Sequence, residues 1–307
     1  MAGGDPSLSI VVTIVEGGAY VRDFLRAVLA MQDAPPLDVI VPYDDSVADV
    51  AAWASEFPSV RFLAIGPIVP EKPVASEGGK HELYDRRRAA GLAEARGDIV
   101  AILEDRGQPR ADWARTAVRL HQETGRDVIG GAIDPTEPFH ALNWAFHVTD
   151  FGRYMSPFDS GPRDWVSDVN ITYSRKAIEA TRHLWQDRYQ EPVVNWHLRS
   201  LGMDLRLDNR LVVLHRRPPL RLAPLLRERF DWGRLFGAIR VRGVSAGRRA
   251  AMILTGPAIP PVLWLRHFRT QSAKGQRRRY LRVLPWVMLL TTVWTAGEVW
   301  GYVTKRS

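Results

Sequence analysis

Residues 97–106, GDIVAILEDR, contain the pattern that decides the fold. Five apolar residues in a row, 99–103, predict a buried strand, and the lack of polar alternation is typical of a parallel strand covered on both faces. Two carboxylates, Glu104 and Asp105, follow at its carboxyl end, where open α/β sheets bind ligands. Because adjacent carboxylates repel each other, this end predicts a bound cation or polyol, with a solvated turn as the alternative.

The segments around this strand alternate between strand and helix patterns. Apolar runs at 8–15, 37–42 and 60–65 predict strands, and a helical spacing of apolar residues at 20–31 predicts a helix between the first two. Strands joined by helices imply right-handed crossovers and a parallel sheet. Further patterns predict strands at 127–133, 165–174 and 205–215, helices at 47–57, 83–95, 112–124 and 193–201, and a loop rich in Pro and Gly at 66–80.

Charge is distributed unevenly along the 307 residues. Lys and Arg number 42 against 34 Asp and Glu, and the excess lies after residue 216, so that the earlier part is net acidic. This asymmetry predicts an anionic partner for the carboxy-terminal part. Cys is absent, which excludes disulfides and thiolate metal sites. The first dozen residues carry Asp5 and no basic stretch, so we expect no secretory signal and a cytoplasmic amino-terminal domain.

We expect two domains, with residues 1–217 forming the α/β domain and residues 218–307 attaching it to a membrane. Arginines alternate with Leu, Phe and Trp at 220–242, as in helices that lie in a membrane interface. Segment 250–265 is short and rich in Pro, which favours an interfacial or re-entrant segment. Segment 281–303 is long enough to span, although Glu298 within it also permits a shallow position.

The basic connector at 266–282 predicts that this region lies at the cytoplasmic face of the inner membrane. Attraction to anionic lipids would add to the attachment. A tail that binds nucleic acid is the less favoured alternative, because the arginines flank apolar runs. We therefore expect a membrane partner and no nucleic acid.

Short motifs occur in a fixed order along residues 8–215. They are DDS at 44–46, RAAG at 88–91, ARGD at 95–98 before Glu104 and Asp105, GG at 130–131, Asn170, and Glu191 eleven residues before Gly202. With these motifs the chain resembles the family 2 glycosyltransferases of the GT-A fold. The resemblance implies a Rossmann-like, mostly parallel sheet with helices on both faces. It also implies inverting transfer of a sugar from a UDP- or GDP-linked donor to a hydroxyl acceptor, with Mg²⁺ or Mn²⁺ as cofactor.

The resemblance assigns donor-binding roles to five residues. Asp44 would accept a hydrogen bond from the imide N–H of the base, and an Asx turn is its structural alternative. Arg88 would lie against the base or diphosphate, or else on a solvated helix face. Glu104 would hold the ribose hydroxyls, and Asp105 would ligate the metal ion on the diphosphate. His215, at the end of the last strand, would be a second metal ligand or a surface residue.

On the acceptor side, the resemblance makes Glu191 the general base, since inversion needs a carboxylate near the acceptor hydroxyl. An acid at the start of a helix, followed by Pro192, is also favoured by the helix dipole. Asp168 and Asn170 would contact sugar or acceptor, with a core role as the alternative for Asn170. Three tryptophans would form an acceptor platform or pack in the core: Trp165, Trp185 and Trp196.

Two departures from the family pattern leave other functions open. Thr13-Ile14-Val15-Glu16 stands where the family has Pro-Thr-Tyr-Asn, and Gln190-Glu191-Pro192 replaces its Glu-Asp motif. A non-catalytic relative that binds nucleotide-sugar or scaffolds a membrane complex is therefore one alternative. A nucleotidyltransferase is another, disfavoured because no Gly-rich phosphate loop follows the first strand. The preferred prediction is a membrane-attached glycosyltransferase with a lipid-linked or envelope glycan acceptor.

Overall fold

A computed structural model of the protein describes residues 6–74, 76–136 and 140–305, so Asp5 lies outside the described residues. The chain forms two compact units. The first takes residues 1–70, 82–134 and 154–216, and the second takes residues 71–81, 135–153 and 217–307. The second unit thus also contains two segments, 71–81 and 135–153, that the sequence did not assign to it.

The first unit is built on a mixed sheet, in which the described residues form nine strands. They are β1 (Leu8–Thr13), β2 (Leu37–Tyr43), β3 (Val60–Ala64), β4 (Ile99–Glu104), β5 (Gly107–Pro109), β6 (Val128–Pro135), β7 (Gly161–Arg163), β8 (Asn170–Ser174) and β9 (Leu205–His215). Their order is β3-β2-β1-β4-β8-β6-β9-β5, with β7 against β9. Strands β3, β2, β1 and β4 are parallel, whereas β8 runs antiparallel to β4. The predicted α/β class is confirmed, and the sheet is mixed, since β5, β6 and β7 also pair antiparallel with a neighbour.

Helices separate most of the strands. Along the chain they are α1 (Ala19–Leu29), α2 (Glu77–Glu94), α3 (Trp113–Thr124), α4 (Ala141–Phe151), α5 (Arg175–Ala180), α6 (Arg182–Trp185), α7 (Glu191–Ser200), α8 (Leu222–Arg240), α9 (Ala246–Thr255), α10 (Ile259–Ala273) and α11 (Arg277–Thr304). Two short 3₁₀ helices, Asp45–Trp53 and Gly256–Ala258, complete the set in the described chain.

Three local predictions differ from the structure. The segment predicted as an α-helix at 47–57 is the 3₁₀ helix Asp45–Trp53, which Asp44 caps by accepting a hydrogen bond from the Ser46 N–H. Helix α2 starts at Glu77, inside the predicted loop. The strand predicted at 165–174 is shorter and forms only β8. A turn lies directly before β8, closed by a hydrogen bond from the Asn170 N–H to Ser167 O.

Asn170 is a core residue that ties three parts of the first unit together. Its amide accepts a hydrogen bond from Trp113 Nε1 at 3.0 Å and donates to Ala132 O and Leu211 O at 2.9 Å each. Gly131 leaves the space for this amide, because a Cβ there would lie 2.2 Å from Asn170 Nδ2 and 2.0 Å from Leu211 O. Asn170 therefore has a packing role, which was its alternative in the sequence analysis, and Gly131 makes room for it.

The second unit is helical, with α11 packed against α8 and α4. Helices α8 and α11 approach through glycines four residues apart, Gly233 and Gly237 on α8 and Gly297 and Gly301 on α11. A Cβ at Gly233 would lie 2.1 Å from Trp294 O, and one at Gly301 would lie 2.3 Å from an α8 carbonyl oxygen. The two backbones are therefore in direct contact, as in small-residue helix pairs.

Helix α11 has two different faces. Its inner face buries Glu298, whose carboxylate accepts hydrogen bonds from Arg240 Nη1 at 2.8 Å and from the Tyr302 hydroxyl. Its outer face exposes large apolar side chains, among them Trp286 and Trp300. By length and composition alone α11 could cross a membrane, and no other helix of the described residues could. Whether residues 281–303 span a bilayer stays a prediction.

Candidate active site

The candidate site lies where the parallel strands of the first unit end. Strand β1 pairs in parallel with β2 on one side and with β4 on the other, so their carboxyl ends lie at one edge of the sheet. Asp44 follows β2, Glu104 ends β4, and Asp105 comes next. In open α/β sheets this edge is the ligand-binding edge. The three predicted acids are thus brought to one rim.

Asp44 is buried and bound to Arg87. Arg87 donates from Nε to Asp44 Oδ2 at 2.6 Å, from Nη2 to Ser46 Oγ at 2.8 Å and from Nη1 to Ile14 O at 3.0 Å. Burial acts to raise the pKa of Asp44, but the hydrogen bonds from Arg87 and Ser46 outweigh it and hold the pKa below its usual value. Asp44 is therefore a fixed anion that joins the ends of β1 and β2 to α2.

Arg88 is the centre of a second buried ion cluster at the rim. Its guanidinium contacts Glu104 Oε1 at 2.9 Å, Asp168 Oδ2 at 2.8 Å and Asp85 Oδ1 at 3.8 Å. Its Nε also donates to Thr13 Oγ1 at 2.9 Å. The buried guanidinium of Arg88 therefore holds these three carboxylates close to one another. Because Arg88 is buried, the alternative that it lies on a solvated helix face is wrong.

The acids around Arg88 hold protons more tightly than usual. Burial raises the pKa of Glu104 to about 7, because the neighbouring Asp168 adds to it and Arg88 only partly offsets it. Burial likewise raises the pKa of Asp85 to about 7. Carboxyl groups with such pKa values are typical of binding and catalytic sites, although buried ion clusters also produce them.

Asp105 is fully buried and holds the loop that follows β1. Its Oδ1 accepts a hydrogen bond from the Val15 N–H at 3.1 Å, and its Oδ2 accepts from the Glu16 N–H at 3.0 Å and the Gly17 N–H at 2.7 Å. Burial raises the pKa of Asp105 to about 6 even though these bonds act against it. Since a carboxylate has about four acceptor positions, little of its capacity is left for a metal ion.

The predicted metal ligands do not form a metal site together. His215 ends β9 and lies opposite Gly107 in the β5–β9 pairing, two residues beyond Asp105. Within residues 6–74, 76–136 and 140–305, no group of three or more His, Asp and Glu side chains is placed to hold a metal ion. The roles of Asp105 and His215 as metal ligands stay predictions, and the hydrogen bonds of Asp105 do not favour them.

Arg106 lies at the same rim, next to Asp105. It donates from Nε to Glu16 Oε1 at 2.9 Å and also contacts this carboxylate through Nη2. Its own carbonyl accepts from the Arg216 N–H at 2.8 Å. Burial together with the charge of Glu16 raises the pKa of Tyr20, and the charges of Arg106 and Arg216 act against it. The Arg216 guanidinium also lies over the Tyr20 ring, 5.0 Å from its centroid, so the loop after β1, the start of α1 and the end of β9 meet beside Arg106.

Glu191 is joined to the Arg88 cluster by a buried hydrogen-bond network. Its Oε1 accepts from Asn195 Nδ2 at 2.6 Å, and Asn195 Oδ1 accepts from the Tyr173 hydroxyl at 2.9 Å. The Tyr173 and Tyr189 hydroxyls are 2.7 Å apart, and the Tyr189 N–H donates to Asp85 O at 3.0 Å. Glu191 is also the first residue of α7, so its two interpretations remain compatible.

The three tryptophans separate into a core residue and a pair. Trp185 is fully buried and donates from Nε1 to Ile178 O at 2.9 Å, so it has the packing role that was the alternative. Trp165 and Trp196 form an edge-to-face pair, with ring centroids 5.8 Å apart, and both are half-buried. Trp196 lies on α7, as Glu191 does. The acceptor-platform role therefore stays a prediction for Trp165 and Trp196.

Sequence reasoning missed several residues of the rim. Arg88 was predicted to bind the donor, but the neighbouring Arg87 is the partner of Asp44. Asp85 could have been found from its spacing, because an acid three residues before an arginine on a helix lies next to it. Arg106 directly follows the acid pair, and nothing in the pattern indicates which way its side chain turns.

Comparison with known proteins supports a glycosyltransferase fold. No protein-family model and no curated protein sequence matches the chain. Among solved structures it is similar to the mannosyltransferase PcManGT from Pyrobaculum calidifontis in complex with GDP-Man and Mn²⁺. The TM-score is 0.55, the identity 14%, and the match covers 96% of this chain and 86% of that one. A second neighbour is S. aureus TarS, with a TM-score of 0.46, 13% identity, and coverage of 77% of this chain and 40% of that one.

The likeness to PcManGT is a likeness of fold, since the sequences are 14% identical. It agrees with the α/β class expected from the strand and helix patterns. A fold by itself does not fix an activity. Donor, acceptor and mechanism therefore depend on the rim residues.

Proposed function

We propose that the protein is a glycosyltransferase that takes a sugar from a nucleoside-diphosphate donor at the rim formed by β1, β2 and β4. The observation that carries this proposal is a series of contacts between Glu104 and Glu191. Glu104 is paired with Arg88, which lies beside Asp85, and the Asp85 carbonyl accepts from the Tyr189 backbone N–H. The Tyr189 hydroxyl contacts the Tyr173 hydroxyl, which is linked through Asn195 to Glu191. Such a network holds a donor-side carboxylate and an acceptor-side carboxylate in a fixed relation. A transfer between two bound substrates needs that arrangement.

The donor would be a UDP- or GDP-sugar. Asp44 is the candidate acceptor for a base N–H, and its ion pair with Arg87 keeps it ionised for that purpose. Glu104 has one oxygen on Arg88 and a partly exposed side chain, which suits a contact to the ribose hydroxyls. Arg88 would then orient Glu104 and Asp168 while its charge favours a bound phosphate. PcManGT in complex with GDP-Man is a precedent for donor type within this fold.

Mg²⁺ or Mn²⁺ is the cofactor that the resemblance implies, and PcManGT contains Mn²⁺. The residues predicted to hold it here, Asp105 and His215, do not fit it well. The carboxylate of Asp105 accepts hydrogen bonds from three backbone N–H groups, and the residue is fully buried. We therefore assign no step of the reaction to a metal ion.

The transfer would invert the anomeric centre, with Glu191 as general base. The Asn195 amide holds Oε1 of Glu191, which fixes the direction of the carboxylate at the start of α7. A carboxylate fixed in this way can accept the proton of an acceptor hydroxyl as its oxygen attacks. Trp165 and Trp196 would give the acceptor an apolar surface next to this base.

The acceptor would be a lipid-linked or envelope glycan reached at the cytoplasmic face of the inner membrane. The second unit exposes large apolar side chains on α9, α10 and α11, with Leu254 at 80% and Val262 at 62% of full exposure. Arginines lie among them in the sequence, for example Arg277, Arg278 and Arg279. An apolar surface with basic neighbours suits a bilayer that contains anionic lipids.

Replacement of the candidate base tests the proposed reaction. Glu191→Gln keeps an oxygen that can accept from Asn195 but cannot take a proton, so transfer should fall by about 10²–10⁴-fold with donor affinity unchanged. The measurements are sugar transfer from a panel of UDP- and GDP-sugars and donor affinity by calorimetry. The control is Glu179→Gln on α5, an exposed carboxylate paired with Arg182.

Three other outcomes would change the assignment. A loss of donor affinity in Glu191→Gln would make Glu191 a binding residue. A donor that binds the unaltered protein without being transferred or hydrolysed would favour the non-catalytic alternative. Absence of binding by every nucleotide-sugar would remove the proposed function.

A further inference from the structure

We propose that Arg106, supported by Arg216, supplies the fixed positive charge for the diphosphate of the donor, at the rim where a divalent metal ion was predicted. This inference rests on the proposed function and concerns how the leaving group is stabilised. It follows from three observations on the described residues: the occupied carboxylate of Asp105, the position of the Arg106 guanidinium, and unused donors on Arg216.

Asp105 serves the structure of the loop after β1. Its two oxygens accept hydrogen bonds from Val15, Glu16 and Gly17, and the side chain is fully buried. A metal ion that took the place of one of those N–H groups would leave it without an acceptor, and each such loss inside the protein costs about 1–3 kcal/mol. The position is therefore poorly suited to an ion that must bind and leave with the diphosphate.

Arg106 is the side chain that occupies the rim beside Asp105. It directly follows Asp105, and its guanidinium is paired with Glu16 in the loop that Asp105 holds. Its Nε and Nη2 are on Glu16, and its side chain retains 17% of full exposure. A planar guanidinium in such a position can turn one edge to a carboxylate and another to phosphate oxygens.

Arg216 adds hydrogen-bond donors that have no acceptor among the described residues. Its backbone N–H is tied to Arg106 O, and Nη1 is 2.9 Å from Asp23 Oδ2. Its Nε and Nη2 are buried and lack a hydrogen-bond partner in the described part of the chain. Buried donors without acceptors are costly, and an incoming anion would satisfy them. They are thus a second, independent observation that favours an anion next to Arg106, whose carbonyl holds the Arg216 backbone.

The charge of Arg106 would act on the bond that breaks. The bond from the anomeric carbon to the β-phosphate oxygen breaks with its electron pair on that oxygen, so the nucleoside diphosphate gains one negative charge. The acceptor oxygen forms the new bond to the anomeric carbon, and its proton goes to Glu191. A fixed guanidinium near the diphosphate stabilises the charge that develops there without reorganisation.

The test measures the binding of GDP and UDP themselves, so that it does not depend on turnover. Calorimetry on the full chain compares Kd in EDTA with Kd in Mn²⁺, for the unaltered protein and for Arg106→Ala. We expect the unaltered protein to bind either GDP or UDP, and the Kd of that nucleotide to be the same in EDTA as in Mn²⁺ within about twofold. Arg106→Ala should weaken binding at least about tenfold, which corresponds to about 1.4 kcal/mol.

The matched control is Arg110→Ala, which removes an exposed arginine at the end of β5. It should bind within about twofold of the unaltered protein, since a surface charge at this position is screened. Arg106→Lys should recover part of the lost affinity through its charge. Arg106→Gln keeps a hydrogen-bond donor for Glu16, and it serves in place of the Ala variant if that one does not fold.

Two results would overturn the inference and leave the proposed function standing. One is binding that requires Mn²⁺ and vanishes in EDTA. The other is a Kd for Arg106→Ala that equals that of Arg110→Ala. If neither GDP nor UDP binds the unaltered protein with or without Mn²⁺, the proposed function fails, and the inference fails with it.

Discussion

Removal of Arg88 should destabilise the first unit strongly, and by an amount that depends on pH. Arg88→Met keeps most of the side-chain volume and removes the guanidinium from between Glu104, Asp168 and Asp85. Breaking a buried ion pair by removing one partner costs about 3–5 kcal/mol. Asp168 can regain water, whereas Glu104 and Asp85 are more buried, so we expect the loss near neutral pH to fall within this range.

The pH dependence follows from the protons that the remaining acids take up. With Arg88 present the pKa values of Glu104 and Asp85 are already raised to about 7, from ordinary values of 4.5 and 3.8. The folded state therefore binds more protons than the unfolded state between these values, and stability falls as the pH rises through that window. Without Arg88 both pKa values rise further, so the variant should lose less stability at a pH of about 5.5 than at about 8.

Guanidinium denaturation followed by tryptophan fluorescence at the two pH values measures both effects. The control is Arg115→Met, which breaks the exposed 2.7 Å pair with Asp33 on the surface of the same unit. An exposed pair contributes about 0–1 kcal/mol, so this variant should change little at either pH. The reasoning would be refuted if Arg88→Met lost less than about 1 kcal/mol, or lost the same amount at both pH values.

Two further expectations concern the second unit. Gly301→Ala would place a Cβ 2.3 Å from Arg234 O and force α8 and α11 apart, at a cost of about 1–3 kcal/mol. Gly247→Ala on α9 meets open space and should stabilise by up to about 1 kcal/mol, so melting curves that shift the same way for both would contradict the close helix contact. For the membrane proposal, the full chain should float with vesicles that contain anionic lipid. The double variant Leu254→Glu with Val262→Glu should float less, whereas Val69→Glu, equally exposed on the first unit, should not differ from the unaltered protein. Equal flotation of all three proteins would count against the proposed surface.

Much of the α/β framework was predictable because its signals are local. An apolar run such as 99–103 predicts a buried strand wherever its partners lie, and β9 was predicted with the bounds that it has, Leu205–His215. Acids at the ends of β2 and β4 could be placed at one edge, since parallel strands end on the same side. The antiparallel pairing of β8 with β4 was not predictable in this way, because the direction of a neighbour depends on contacts between distant segments.

By itself the sequence determined which residue types reach the rim and where the apolar segments lie along the chain. Only the tertiary structure decided how those residues are used. Asp105 accepts hydrogen bonds from three backbone N–H groups, whereas Asp44 pairs with Arg87 and Glu298 pairs with Arg240. Nothing in the sequence distinguishes these three acids in their partners. The physical reason is that the free energy of a buried charge depends on the partners that the fold brings to it, and these come from segments far away in the chain.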